Sequence, residues 1–169
     1  TVGMMLKPKS TITFCLTATM TILFVVMTAF AGAQHYNFQN YDDRDGLPQA
    51  QVLSVLQDSR GYMWFGTHAG VARYNGNSFE VFDTTSGLAG NSVLALAEDA
   101  EGNIYLGTHG GGLSIFDGTS MKTLGIADGL PSGRINDILV KGDSIWLAVG
   151  GGLVKLENGR LTVSRVPEE

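Results

Sequence analysis

The chain has 169 residues, of which 44% are hydrophobic, with 11 basic and 16 acidic side chains for a formal charge of −5 at pH 7. It carries no basic footprint for nucleic acid, and its one cysteine, Cys15, excludes a disulfide framework or a Cys-based metal site.

In chain order the first element is a leader. Lys7 and Lys9 precede Ile12 to Ala33, which holds no charge and ends in Ala31-Gly32-Ala33. A basic start, an apolar run and an A-x-A site predict a signal peptide over residues 1–33, the competing reading being an uncleaved signal anchor. Cys15 falls inside this run, and the remainder, 34–169, holds nine basic and all 16 acidic residues, an exported chain of acidic balance.

Beyond the leader the sequence repeats itself. Asp45-Gly46-Leu47-Pro48, Ser86-Gly87-Leu88-Ala89 and Asp128-Gly129-Leu130-Pro131 recur 41 and 42 residues apart, and Trp64, Tyr105 and Trp146 recur at 41. A period in the low forties filled with short β-rich runs predicts an all-β fold of β-propeller blades, each of four antiparallel strands. The first repeat reads as strands at Val52 to Gln57, Tyr62 to Gly66, Val71 to Tyr74 and Phe79 to Phe82, with a turn at Asp58 to Gly61 and a hairpin signal at Asn75-Gly76. The second gives Val93 to Glu98, Ile104 to Gly107, Leu113 to Phe116 and Met121 to Leu124. The third gives Ile135 to Val140, Ile145 to Ala148, Leu153 to Leu156 and Leu161 to Ser164. Three blades are expected, at about 47–83, 88–124 and 130–165, with an orphan outer strand at 38–41. Three blades make an incomplete propeller, since a closed ring normally takes four or more. A truncated product is the reading that follows, with a six-bladed homodimer as its alternative.

Residues that recur in every unit serve the unit's geometry. Asp58, Gly61, Asp99 and Gly102 are therefore read as turn residues, the carboxylates accepting backbone N–H groups. Trp64, Tyr105 and Trp146 are read as packing between blades. Gly110-Gly111-Gly112 and Gly150-Gly151-Gly152 lie between strands with no Lys-Ser/Thr after them, so the phosphate-loop reading fails on context. The loops between second and third strands, and those entering the next blade, emerge on one face. That face gathers Gln49, Gln51, His68, Asn91, Ser92, His109, Arg134 and Asn136 as candidate binding residues for a neutral, hydroxyl-rich ligand. His68 and His109 lack a third ligand or nearby carboxylate, so no metal and no cofactor is expected. A propeller enzyme, a lyase or glycosidase, would need paired acids on that face, and Asp137 with Glu98 is a poor pair. A purely structural or assembly fragment is the third reading.

The order Gly-Leu-Pro, a β-rich stretch, Asp-x-x-Gly, Trp-φ-Gly-Thr, Gly-Leu and Tyr/Phe-Asn/Asp-Gly resembles the blades of the two-component regulator propeller family. It is carried by Asp45 to Asn75, by Ser86 to Gly118 and more loosely by Asp128 to Gly159, where Lys141-Gly142-Asp143 shortens the turn and Ala148-Val149 replace Gly-Thr. The resemblance implies the extracytoplasmic, periplasmic or envelope sensor region of a two-component signalling protein, not itself an enzyme. It also implies an oligosaccharide ligand and, downstream, further propeller blades and a histidine kinase absent from these residues.

Overall fold

A computed structural model describes residues 38–164, and the leader expected at 1–33 lies outside the described residues. Residues from Asn40 onward form one compact unit. It contains twelve strands in three separate four-stranded antiparallel sheets. Blade 1 is β1 (Val52–Gln57), β2 (Met63–Thr67), β3 (Gly70–Tyr74) and β4 (Phe79–Phe82). Blade 2 is β5 (Val93–Glu98), β6 (Ile104–Thr108), β7 (Leu113–Phe116) and β8 (Met121–Leu124). Blade 3 is β9 (Ile135–Lys141), β10 (Ser144–Val149), β11 (Gly152–Glu157) and β12 (Arg160–Ser164). In each sheet the strands pair in sequence order, the pattern of a blade.

The Gly-Leu repeats build the corner that leads into each blade's first strand, after β4 and β8 in the second and third repeats. Gly46, Gly87 and Gly129 adopt φ of 113°, 96° and 107°, a region that a side chain rarely enters. Each corner closes on itself, with the Leu47, Leu88 and Leu130 amides donating to the carbonyls of Asp42, Asp83 and Gly125. The leucine side chains then point inward and are 6%, 4% and 2% exposed. A hydrophobic residue inside a strained turn ties the corner to the core.

Blades pack face to face through two apolar layers. Between blades 1 and 2 lie Trp64, Val71, Val93, Ile104, Leu106 and Phe116. Between blades 2 and 3 lie Tyr105, Leu113, Ile135, Ile138, Leu147 and Val154. Gly66 and Gly107 let the sheets approach: a Cβ on Gly66 would sit 2.9 Å from the Val93 carbonyl oxygen, and one on Gly107 2.7 Å from Ile135 Cγ2. That requirement explains why both repeats keep Gly before Thr in the second strand.

Three sequence expectations change. Residues 38–41 form no strand. Tyr41 instead packs on blade 1 itself, its ring 5.3 Å from Tyr74 and 5.5 Å from Phe79, with its hydroxyl hydrogen-bonded to that of Tyr74 at 3.1 Å. These ring contacts and the hydroxyl bond fix Tyr41 on blade 1. Asn75-Gly76 is a wider loop rather than a two-residue turn, because Asn75 Oδ1 accepts the amides of Asn77 and Ser78, both at 2.9 Å. The two-residue form appears at Asn158-Gly159, with φ of 50° and 74°, between paired Glu157 and Arg160. Finally, Trp146 does not lie between blades. It is half-buried on the side of blade 3 that no other sheet among the described residues covers.

Candidate functional site

The turns at the two ends of each blade do different jobs. At one end Asp58 and Asp99 each fasten a turn to an aromatic ring. Asp58 accepts the amides of Arg60 and Tyr62 at 3.0 and 2.8 Å and, through its other oxygen, the indole Nε1–H of Trp64 at 2.8 Å. Asp99 accepts the amides of Glu101 and Asn103 at 3.1 and 2.8 Å and the Tyr105 hydroxyl at 2.9 Å. Burial pushes the Asp99 carboxyl up, yet hydrogen bonds from Asn103, Tyr105 and Glu101 outweigh it and hold the group below its ordinary range. Burial first, and then the bond to Asp99, push the Tyr105 phenol well above its usual value. These carboxylates have their lone pairs taken by their own blade. They are turn fasteners, and the link to the aromatic column is the part that spacing alone does not reveal.

The opposite end carries the polar row. Buried Thr67 and Thr108 close the β2–β3 and β6–β7 turns by donating their hydroxyls to the Gly70 and Gly112 carbonyls at 2.9 and 2.8 Å. This holds His68 and His109 outward, both exposed, at the tip of each turn. His68 Nδ1 lies 2.9 Å from Ser92 Oγ, so the blade 1 turn meets the entry to blade 2. Ser92 in turn accepts the His109 amide at its carbonyl at 2.8 Å. His109 then forms a β-bridge to Arg134, the entry residue of blade 3. Arg134 Nε donates to Asn136 Oδ1 at 2.7 Å. One connected line therefore runs His68, Ser92, His109, Arg134, Asn136 across three blades.

The remaining candidates stand differently. Gln51 is exposed and directly precedes Val52, whose strand partner is Thr67, which places it at the same end of blade 1 as His68. Gln49 is exposed in the corner before it. Asn91 has a structural duty, its side-chain oxygen accepting the Thr84 amide at 2.9 Å and so bracing the corner after β4. The Gly-rich turn between β6 and β7 offers no free cradle: the amides of Gly110 and Gly112 donate to the Gly133 carbonyl at 2.9 and 2.8 Å, and that of Gly111 to Thr108 Oγ1 at 3.2 Å. Among the described residues no three His, Cys, Asp or Glu side chains converge as a metal site would require.

Chemically the row is rich in donors and acceptors, holds no carboxylate and has Arg134 as its one fixed cation. The β2–β3 and β10–β11 turns hold two residues each and the β6–β7 turn four, and the side chain at the entry position differs in every blade. The entry positions are Gln51, Ser92 and Arg134, and the turn positions are His68, His109 and Gly150. The turn residue is His in the first two blades and Gly in the third, so the variation lies at the entry positions, on loops carried by a rigid scaffold.

Comparison with known proteins agrees with this architecture. The two component regulator propeller family matches residues 46–69 and 87–110, the corner-to-turn portions of the first two repeats. A protein named histidine kinase P4 from Formosa agariphila is 35% identical over 60 residues, which are 34% of this chain and 4% of that protein. Among solved structures, the extracellular domain described as that of a hybrid two component system, BT3049 from B. thetaiotaomicron, is similar with a TM-score of 0.60 and 33% identity over 67% of this chain and 17% of its own. The extracellular domain of BT4673 from the same organism shares the fold, with a TM-score of 0.61 at 19% identity over 69% of this chain and 19% of that one. The chain thus spans less than a fifth of the length of these relatives. The matched segments and the blades they build are those of the two component regulator propeller family.

Proposed function

We propose that this chain is a propeller segment of the extracytoplasmic sensor region of a two-component signalling protein, exported and held at the cell envelope. The ligand is an oligosaccharide, and it is met on the row His68, His109, Arg134 and Asn136, with Gln49 and Gln51 extending it and Asn91 bracing its edge. The carrying observation is that this row is exposed and continuous across three blades, with a different side chain at each entry position. A hydroxyl-rich neutral ligand suits it, because such ligands need many donors and acceptors and little net charge. The extracellular, two-component character of the similar solved domain at 33% identity supports the sensor reading.

The test is isothermal titration of a panel of neutral and acidic oligosaccharides against the protein and its variants. Binding should weaken at least tenfold in His109→Ala and Arg134→Ala with the melting temperature kept, since both side chains are exposed. Asp58→Ala should behave the other way. It should lower stability by about 0.5–2 kcal/mol, by analogy with side chains that cap backbone N–H groups, and leave affinity alone. Affinity lost in the aspartate variant and unchanged in the other two would place the binding face at the wrong end of the blades.

A further inference from the structure

The first strand of every blade carries the same irregularity just past its entry position. In β1, Val52 pairs with Thr67 and Ser54 with Gly66, so Leu53 has no partner across the ladder. In β5, Val93 pairs with Thr108 and Ala95 with Gly107, which leaves out Leu94. In β9, Ile135 pairs with Val149 and Asp137 with Ala148, which leaves out Asn136. One residue more on one strand than on its partner is a β-bulge, a device that re-aims a side chain out of the regular alternation.

The packing on either side shows what the bulge does. Val93 and Leu96 belong to the layer shared with blade 1, whereas Ala95 and Ala97 belong to that shared with blade 3. Residues three apart on a regular strand face opposite ways, so Val93 and Leu96 share a side only because the strand changes sides at Leu94. Blade 3 repeats the arrangement: a Cβ on Gly107 would stand 2.7 Å from Ile135 Cγ2 and 3.3 Å from Ile138 Cδ1. Leu94 is thereby released from the core. It is only partly buried, as is Leu53, and neither residue belongs to either apolar layer among the described residues. Blade 2 packs against a blade on both of its faces, so the partial exposure of Leu94 is set by the bulge.

The three bulges come together beside the polar row. Each lies on the edge strand of its sheet, and β5 lies against β1 and against β9. Blade 3 shows that the bulge reaches the entry position, because Asn136 accepts the hydrogen bond of Arg134 Nε at 2.7 Å. At the equivalent places, two residues beyond Gln51 and Ser92, blades 1 and 2 carry leucines. The polar row therefore has an apolar inner border in two of the three blades.

Resting on the reading of that row as the ligand face, we propose that Leu94, together with Leu53 of the neighbouring strand, is the specificity-determining contact of the site. The C–H face of a pyranose ring lies on the leucines while its hydroxyls meet His68, Ser92 and His109. A sugar ring carries hydroxyls around its rim and C–H bonds on its faces, whereas an open-chain polyol has the hydroxyls without the flat apolar face. The ligand class is a neutral oligosaccharide of pyranose rings, selected against acyclic compounds that are equally rich in hydroxyls.

Leu94→Asn installs in blade 2 the residue that blade 3 already carries at its bulge, so the backbone accepts it. Calorimetric titration of cellohexaose, xylohexaose and mannohexaose against the full chain, repeated at several temperatures, reads affinity and the heat capacity of binding. The parent should bind at least one of these sugars with a negative heat-capacity change, the mark of buried apolar surface, and sorbitol should not compete. Leu94→Asn should weaken that binding by about tenfold or more and shrink the heat-capacity change at an unchanged melting temperature, through the loss of a leucine's apolar contact. Affinity lost in His109→Ala but kept with its heat capacity in Leu94→Asn would overturn the leucine contact and leave the row standing. Affinity kept in both variants, or no binding by any of the three sugars, would overturn the row and the contact together. If Leu94→Asn lowers the melting temperature, Leu94→Ala takes its place in the titrations, and a stability loss there as well would make Leu94 a packing residue and overturn the proposal.

Discussion

Trp64→Ala tests the central claim that the aromatic column holds blades together. The side chain is 1% exposed, stacks on Phe82 and meets Phe116 at 5.7 Å, so its loss opens a large cavity between two sheets. Such a truncation costs about 3–5 kcal/mol. It also removes the indole donor from Asp58, which is itself 8% exposed. Trp64→Phe isolates that second effect, since it keeps most of the packing and deletes the N–H; leaving the carboxylate one donor short should cost about 1–3 kcal/mol. The same substitution in the third repeat is the internal control. Trp146 is half-buried on an open face and donates no comparable bond, so Trp146→Ala should cost about 1 kcal/mol or less. Urea melts of the two alanine variants read the difference directly. With a slope of about 2 kcal/mol/M, Trp64→Ala should move the midpoint down by about 2 M and Trp146→Ala by about 0.5 M or less. Equal midpoints for the two alanine variants would refute the packing argument.

Two further outcomes follow from the turns and corners. Hydrogen bonds hold Asp99, and likewise Asp42 and Asp83, below the ordinary carboxylate range in the folded chain. Groups depressed in this way contribute stability above their unfolded value of about 4 and lose it as pH falls through the folded value, so the melting temperature should drop below about pH 4. Asp99→Asn should make that acid slope shallower, and an unchanged slope would remove Asp99 from the account. Gly133→Ala should disrupt the seam between the β6–β7 turn and the entry to blade 3, because a Cβ there would stand 2.1 Å from the Gly110 carbonyl oxygen. The expected loss is about 2 kcal/mol or more of stability by chemical melt, together with faster amide exchange at Gly110 and Gly112; retained protection at both amides would count against the seam.

What the sequence determined by itself was the repeat and nearly everything that repeats. The constant interval between Gly-Leu corners and between Trp64, Tyr105 and Trp146 dictated blades, because a four-stranded unit cannot bury its two faces alone. Several strands, Phe79–Phe82 and Met121–Leu124 among them, could be bounded from β-rich runs between Gly-containing turns. The exposed loop row was legible for the same reason: loop residues that fall outside the apolar alternation have to face water. Tertiary structure decided what depends on a neighbour in space. Asp58 and Trp64 are six residues apart, and only the folded hairpin shows the carboxylate receiving the indole N–H. Asn91 looked like a free amide on the face until the corner after β4 brought the Thr84 amide to it. Tyr41 sits in a segment with strand-like sequence that forms no strand, and side-chain packing on Tyr74 and Phe79 sets its place. Trp146 carries the same local pattern as Trp64 and yet stands on an open face, because burial is a property of the adjoining sheet and not of the strand that bears the ring.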